Sequence, residues 1–106
     1  MHRVTIQYDV PQDPEAFDER YFDHHVALVA PIPGLRAFTW SKPRPLGGEQ
    51  SVYLVAQLDF DGEEALERAL ASSEMRAAGA DAAQLGVPMT MFVGEVVEPG
   101  LRPELR

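Results

Sequence analysis

The sequence predicts an α+β domain: one antiparallel four-stranded sheet with helices on one face, its elements in the order βαββαβ. Three observations carry this. Apolar and polar residues alternate in the first segment, with Val4, Ile6 and Tyr8 against Arg3, Thr5 and Gln7, the period of a strand. Two later stretches place apolar residues three and four apart, the period of a helix. Proline and glycine clusters at Pro11–Pro14, Pro31–Gly34, Pro43–Gly48 and Gly86–Pro88 divide the chain at the junctions this order needs.

Each element follows in turn. The first strand covers residues 2–9. Asp13 is a suitable N-cap and Pro14 a suitable first helical residue, and the helix should run to about Ala30. Its buried stripe is expected to be Phe17, Tyr21, Leu28 and either His24 or His25. A second strand spans Leu35–Ser41 and a third Ser51–Phe60. Asp61, with Glu64 completing a capping box, should open a short helix, and Ser72 or Ser73 should interrupt it and start another to Leu85. A fourth strand runs over Met89–Val97. The domain is expected to end at residue 98, leaving PGLRPELR at 99–106 as a tail.

The chain has 106 residues, 45% of them hydrophobic, enough apolar content for one core and too little length for two domains. Nine basic against 17 acidic residues give a net charge of −8, and no basic cluster offers a footprint for nucleic acid. Zero cysteines exclude thiolate chemistry and cysteine metal sites, and three histidines, His2, His24 and His25, provide poorly for any other metal centre. No apolar run nears the ~20 residues that span a bilayer, and the amino terminus lacks a signal-peptide apolar core. A cytoplasmic location and no membrane partner are expected.

Both faces of the predicted sheet carry apolar residues. Placing Phe38, Trp40, Tyr53 and Phe92 together on the uncovered face would expose an unusually large patch for a monomer. A second copy of the chain packed sheet to sheet is the expected cover.

His25 is the ionisable side chain of greatest interest, four residues after Tyr21 and three before Leu28. Burial would lower its pKa and leave a neutral imidazole able to take or give a proton; the plain alternative is a helix histidine bonded to a neighbouring loop. His24 falls about 100° away on a helix, at the edge or in solvent. Tyr8, Tyr21 and Tyr53 offer hydroxyl donors for a small aromatic pocket or simple packing. Trp40 is a pocket wall or interface residue, and Asp81 is expected to be an ordinary solvated carboxylate, with pairing to Arg76 or Arg68 or reaching a pocket as the alternatives.

At these residues the chain resembles the EthD family. The segment Phe17-x-x-x-Tyr21-x-x-x-His25-Val26-Ala27-Leu28-Val29, closed by Ile32-Pro33-Gly34-Leu35, is similar to the family's F-x-x-x-Y-x-x-x-H-x-P-L-V and I-P-G-L pattern, with Ala27 replacing its proline. The stretch Ala69-Leu70-Ala71-Ser72-Ser73-Glu74-Met75-Arg76, followed by Asp81, is similar to its A-L-x-S-x-E-x-R motif. The resemblance implies a ferredoxin-like protomer in a dimeric α+β barrel, with His25 as the matched histidine and Tyr21 and Asp81 as supporting catalytic matches. Tyr8, Phe38, Trp40, Tyr53 and Phe92 are the expected substrate-binding residues. The implied activity is an oxidoreductase- or isomerase/cyclase-type proton transfer on a small hydrophobic or aromatic metabolite, with no cofactor and no metal. The alternative is a non-catalytic small-molecule binder accessory to an oxygenase or degradation pathway.

Overall fold

A computed structural model describes residues 1–98; the expected tail lies outside the described residues. Four strands, β1 (His2–Asp9), β2 (Ala37–Ser41), β3 (Val52–Phe60) and β4 (Met89–Glu95), form a single sheet of order β2-β3-β1-β4, antiparallel throughout. This is the ferredoxin-like α+β arrangement. α1 (Pro14–Arg20), a π-helical stretch (Tyr21–His25) and α2 (Val26–Val29) make one continuous helix across the first crossover. α3 (Glu63–Leu70) and α4 (Ser73–Gln84) make the second.

Local chemistry sets most boundaries. Asp13 accepts the Ala16 backbone N–H at 3.1 Å, with Pro14 opening α1. Ser72 separates α3 from α4 by donating to the Ala69 carbonyl at 2.6 Å and accepting the Met75 N–H at 3.1 Å. The capping box expected at Asp61 and Glu64 does not form. Gly62 occupies the N-cap without a side-chain bond, and Asp61 instead accepts from Arg36 at 2.6 Å. Gly34 turns the chain from α2 towards β2 at φ 77°, a conformation that glycine adopts without a Cβ clash.

The π turn changes which residues are buried. Val26 donates its N–H to the Tyr21 carbonyl, one residue further back than in an α-helix. Residues four apart on an α-helix drift by about 40° per step, and a wider turn subtracts from that drift. Phe17, Tyr21, His25 and Val29 therefore share the buried face, and Val29 takes the place expected of Leu28, which is half-buried.

The sheet register overturns one expectation. Phe38 pairs with Leu58 and Trp40 with Ala56, so both side chains stand on the helix side. Trp40 packs its ring 4.7 Å from Phe22. The open face instead carries Arg3, Thr5, Gln7, Thr39, Gln57 and Thr90 beside Val55 and Phe92, and the buried Asp59 carboxylate accepts from Arg3 at 2.7 Å. The register of β2 against β3, not its composition, decides this face. Exposed apolar side chains gather on the edge strand β4: Met89, Met91 and Val93 towards the helices and Phe92 away from them.

The core beneath the helices has two parts. Val4, Leu58, Phe60, Leu66 and Ala69 form a hydrocarbon cluster under α3. Tyr8, Phe17, Tyr21, Leu54 and Ala56 form an aromatic cluster under α1, and the candidate site lies beside it.

Candidate active site

The π-helical stretch delivers His25 to the interior with 3% of its surface exposed, and α4 crosses it to deliver Asp81, 5% exposed. His25 Nδ1 lies 3.0 Å from Asp81 Oδ2. The other carboxylate oxygen pairs with the Arg20 guanidinium and lies 3.3 Å from His24 Nε2. The partner of Asp81 is thus Arg20, not Arg68 or Arg76. His24, half-exposed at the helix edge, reaches the same carboxylate from the solvent side.

Electrostatics fixes the protonation pattern. Burial pushes the His25 imidazole below its ordinary 6.5, against the opposing hydrogen bond and charge of Asp81, while the His24 and Arg20 charges add to the lowering. Burial alone would raise the Asp81 carboxyl, but hydrogen bonds from Arg20 and His25 and the charges of Arg20 and His24 together hold it below the usual carboxylate value. An ionised carboxylate only accepts, so Nδ1 of neutral His25 carries the proton and Nε2 keeps its lone pair. A neutral imidazole held in one tautomer by a buried carboxylate is the arrangement a general base requires.

The aromatic cluster surrounds this pair. The Tyr21 ring centroid is 5.1 Å from that of His25, Tyr8 lies edge-on to Tyr21 at 5.7 Å, and Phe17 stacks on Tyr21 at 5.6 Å. Burial, reinforced by the Asp81 charge, raises the Tyr8 phenol to about 12, and burial raises Tyr21 as well. Both remain protonated. The Tyr8 hydroxyl is buried without a hydrogen-bond partner among the described residues.

A cavity of about 50 Å³ opens between α4 and the sheet, lined by Tyr8, Tyr21, His25 and Phe38 together with Ala78, Gly79, Met89 and Met91. Of the residues singled out in the sequence, the structure gathers His25, Tyr21, Asp81, Tyr8 and Phe38 in or against this cavity. It does not bring Trp40, Tyr53 or Phe92 there. The Tyr53 hydroxyl donates to Asp18 at 2.9 Å, and Lys42 donates to that same carboxylate at 2.5 Å; Phe92 lies on the opposite face of the sheet. A second hollow of about 330 Å³, between Asp13–Phe17 and Gln84–Val87, touches the network only through Arg20. Sequence reasoning missed Arg20, Gly79 and Met91. The four-residue spacing of Phe17, Tyr21, His25 and Val29, longer than 3.6, is the signal that placed Arg20 and His24 beside one helix face. Among the described residues no group of three or more His, Asp or Glu side chains is arranged to hold a metal ion, and no helix is long and apolar enough to cross a membrane.

A helix-covered antiparallel sheet with an inward histidine–carboxylate pair defines a ferredoxin-like α+β protein with a candidate proton-transfer site. The chain belongs to the EthD family: the EthD domain matches residues 10–85. It is 43% identical over 103 residues to an uncharacterised 11.0 kDa protein from the thcB–thcC intergenic region of Rhodococcus erythropolis, covering 93% of this chain and 100% of that one. An ethyl tert-butyl ether d (EthD) family protein from Bacillus halodurans superposes with a TM-score of 0.82 at 33% identity, covering 92% of this chain and 99% of that one. SnoaB, a cofactor-independent oxygenase from Streptomyces nogalater, shares the fold at a TM-score of 0.64 and 19% identity, over 92% and 93% of the two chains. Two further structures of this fold are described as dimeric.

Proposed function

We propose that the protein is a cofactor-independent enzyme in which His25 takes a proton from a small hydrophobic or aromatic metabolite, in an oxidoreductase- or isomerase/cyclase-type reaction. The observation that carries this reading is the 3.0 Å contact between His25 Nδ1 and the buried Asp81 carboxylate beside an apolar cavity. The proton moves to Nε2, the bonding pair stays on the substrate, and Asp81 stabilises the imidazolium that forms. A positioned base of this kind contributes typically ~10²–10⁴-fold in rate. Tyr21 is a positioning residue, its ring packed against the imidazole. Turnover of a panel of lactones and polyphenols tests the reading: activity that His25→Ala abolishes supports it, and no turnover of any compound by the wild type overturns it.

A second reading, a non-catalytic binder accessory to an oxygenase or degradation pathway, draws support from the mostly apolar lining of the same cavity. It predicts ligand binding that survives His25→Ala with no chemical change in the ligand. We also propose a cytoplasmic homodimer. The exposed Phe92 and Val93 of edge strand β4 offer an apolar surface to a second copy, and the described dimers of this fold support it. A monomeric mass in sedimentation at micromolar concentration would contradict it.

A further inference from the structure

The unpartnered hydroxyl of Tyr8 and the small-residue wall of α4 have no role in the proton transfer just described. Tyr8 is 1% exposed, and its hydroxyl is buried without a hydrogen-bond partner among the described residues. A buried donor left unpaired forfeits the hydrogen bond it had in water, so a group that satisfies it when a ligand arrives is a strong source of selectivity. The same cavity is walled on α4 by Ala78, Gly79 and Ala82 and on β4 by Met89 and Met91. A Cβ built on Gly79 meets no atom within 4 Å, so this position faces open space. Met91 is 52% exposed on the edge strand, and methionine side chains re-pack readily.

We infer that the cavity takes a neutral carbonyl compound, entering between Gly79 and the Met89–Met91 edge, and that the Tyr8 hydroxyl donates to its carbonyl oxygen. This rests on reading the cavity as the working site. A carbonyl oxygen accepts the Tyr8 proton and brings no hydrogen of its own to strand in an apolar wall. The nearby Asp81 carboxylate disfavours an anionic ligand, and the remaining wall suits hydrocarbon. Tyr8 thus reads the ligand's oxygen, and Gly79 keeps the entrance clear.

Acetophenone and ethylbenzene, nearly equal in shape and differing at the oxygen, serve as probes in calorimetric or NMR titrations of the full-length protein. The wild type should bind acetophenone more tightly than ethylbenzene, and Tyr8→Phe should erase about a tenfold preference. Gly79→Leu, whose added side chain has room and sits on a helix that gains from losing a glycine, should fold normally and lose both ligands. Equal binding of the two probes by the wild type, a preference that persists in Tyr8→Phe, or no saturable binding of either probe overturns the inference. Thermal unfolding supplies a second check. Deleting an unpartnered hydroxyl should leave Tm unchanged or raise it, whereas a marked fall would reveal a hidden partner and also overturn the inference. Acetophenone binding that depends on Tyr8 while the lactone and polyphenol panel yields no turnover would leave this inference standing and remove the catalytic reading alone.

Discussion

Phe60 and Tyr8 are buried almost equally, at 0% and 1% exposure, on neighbouring strands of one sheet face, yet their surroundings differ in kind. Phe60 sits among Val4, Leu58, Leu66 and Ala69, with His2 as its cross-strand neighbour on β1. Tyr8 sits with Phe17 and Tyr21 beside His25 and Asp81, and its hydroxyl has no hydrogen-bond partner among the described residues. The first region is held chiefly by hydrocarbon packing, which is indifferent to pH. In the second, burial places free energy on protonation states, so its stability and its chemistry follow pH together. Burial stabilises the fold in both places, but only in the second does it also shape reactivity.

The largest effect is expected from the hydrocarbon side. Phe60→Ala should cost about 3–5 kcal/mol, because it removes a buried ring and leaves a cavity that α3 fills only in part. Urea unfolding should show a lower midpoint at every pH. If the loss instead varies strongly with pH, the two regions are not separable.

Acid should act on the other region. Folded His25 titrates below 6.5 and the unfolded chain near 6.5, so the unfolded state binds the proton first. The stabilising difference is therefore complete above 6.5 and is lost as pH falls through that value towards the lower folded one, at no more than about 1.4 kcal/mol per pH unit for one proton. Asp81 adds a second loss only below 3.8, where its carboxyl takes up a proton in the unfolded chain. Stability measured at about pH 5 should fall below that at neutral pH, and His25→Gln should flatten the difference. If His25 is the base, activity should decline over the same acid limb, since the imidazolium has no lone pair. Asp81→Asn removes the carboxylate charge that raises the His25 pKa and leaves at best a weaker, neutral hydrogen bond, so it should displace the limb to lower pH.

The comparison also explains what the sequence made legible. Strand periodicity at Val4, Ile6 and Tyr8 and the caps at Asp13 and Ser72 are local signals, and these elements were readable one residue at a time. The face of β2 was not, because Phe38 and Trp40 alternate correctly whichever way the strand is paired; only the register with Leu58 and Ala56 decides. Asp81 is another such case. Arg68 and Arg76 are nearby in sequence, but its partners Arg20 and His25 are 61 and 56 positions away, brought in by a helix crossing that no local spacing encodes. The π turn lies between these extremes. The even four-residue spacing from Phe17 to Val29 records it, but an α-helical reading assigns the last position to Leu28.

A smaller effect tests whether the helix carrying His25 is anchored from its start. Asp13→Ala removes the acceptor for the Ala16 N–H and should cost about 1 kcal/mol. Because the capping contact is exposed and lies twelve residues before His25, the His25 titration midpoint should not change in NMR. A shift would mean that fraying at Pro14 reaches the π turn.

The finest test uses a charge at the border between protein and solvent. Arg20 is half-exposed, so its pairing with Asp81 is screened and its removal should alter global stability little. Its effect on His25 has a definite sign all the same. The Arg20 charge lowers the His25 pKa, so Arg20→Ala should raise it, and the Asp81 carboxyl should rise too on losing its hydrogen bond from Arg20. With folded His25 brought nearer the unfolded value of 6.5, the loss of stability on mild acidification should shrink while the loss from Phe60→Ala stays as it was. NMR titration of the His25 ring in wild type and Arg20→Ala reads this directly. A midpoint that falls or stays fixed would mean that Arg20 holds Asp81 in place more than it repels the imidazolium, so that geometry rather than charge sets the pH response of this half of the core.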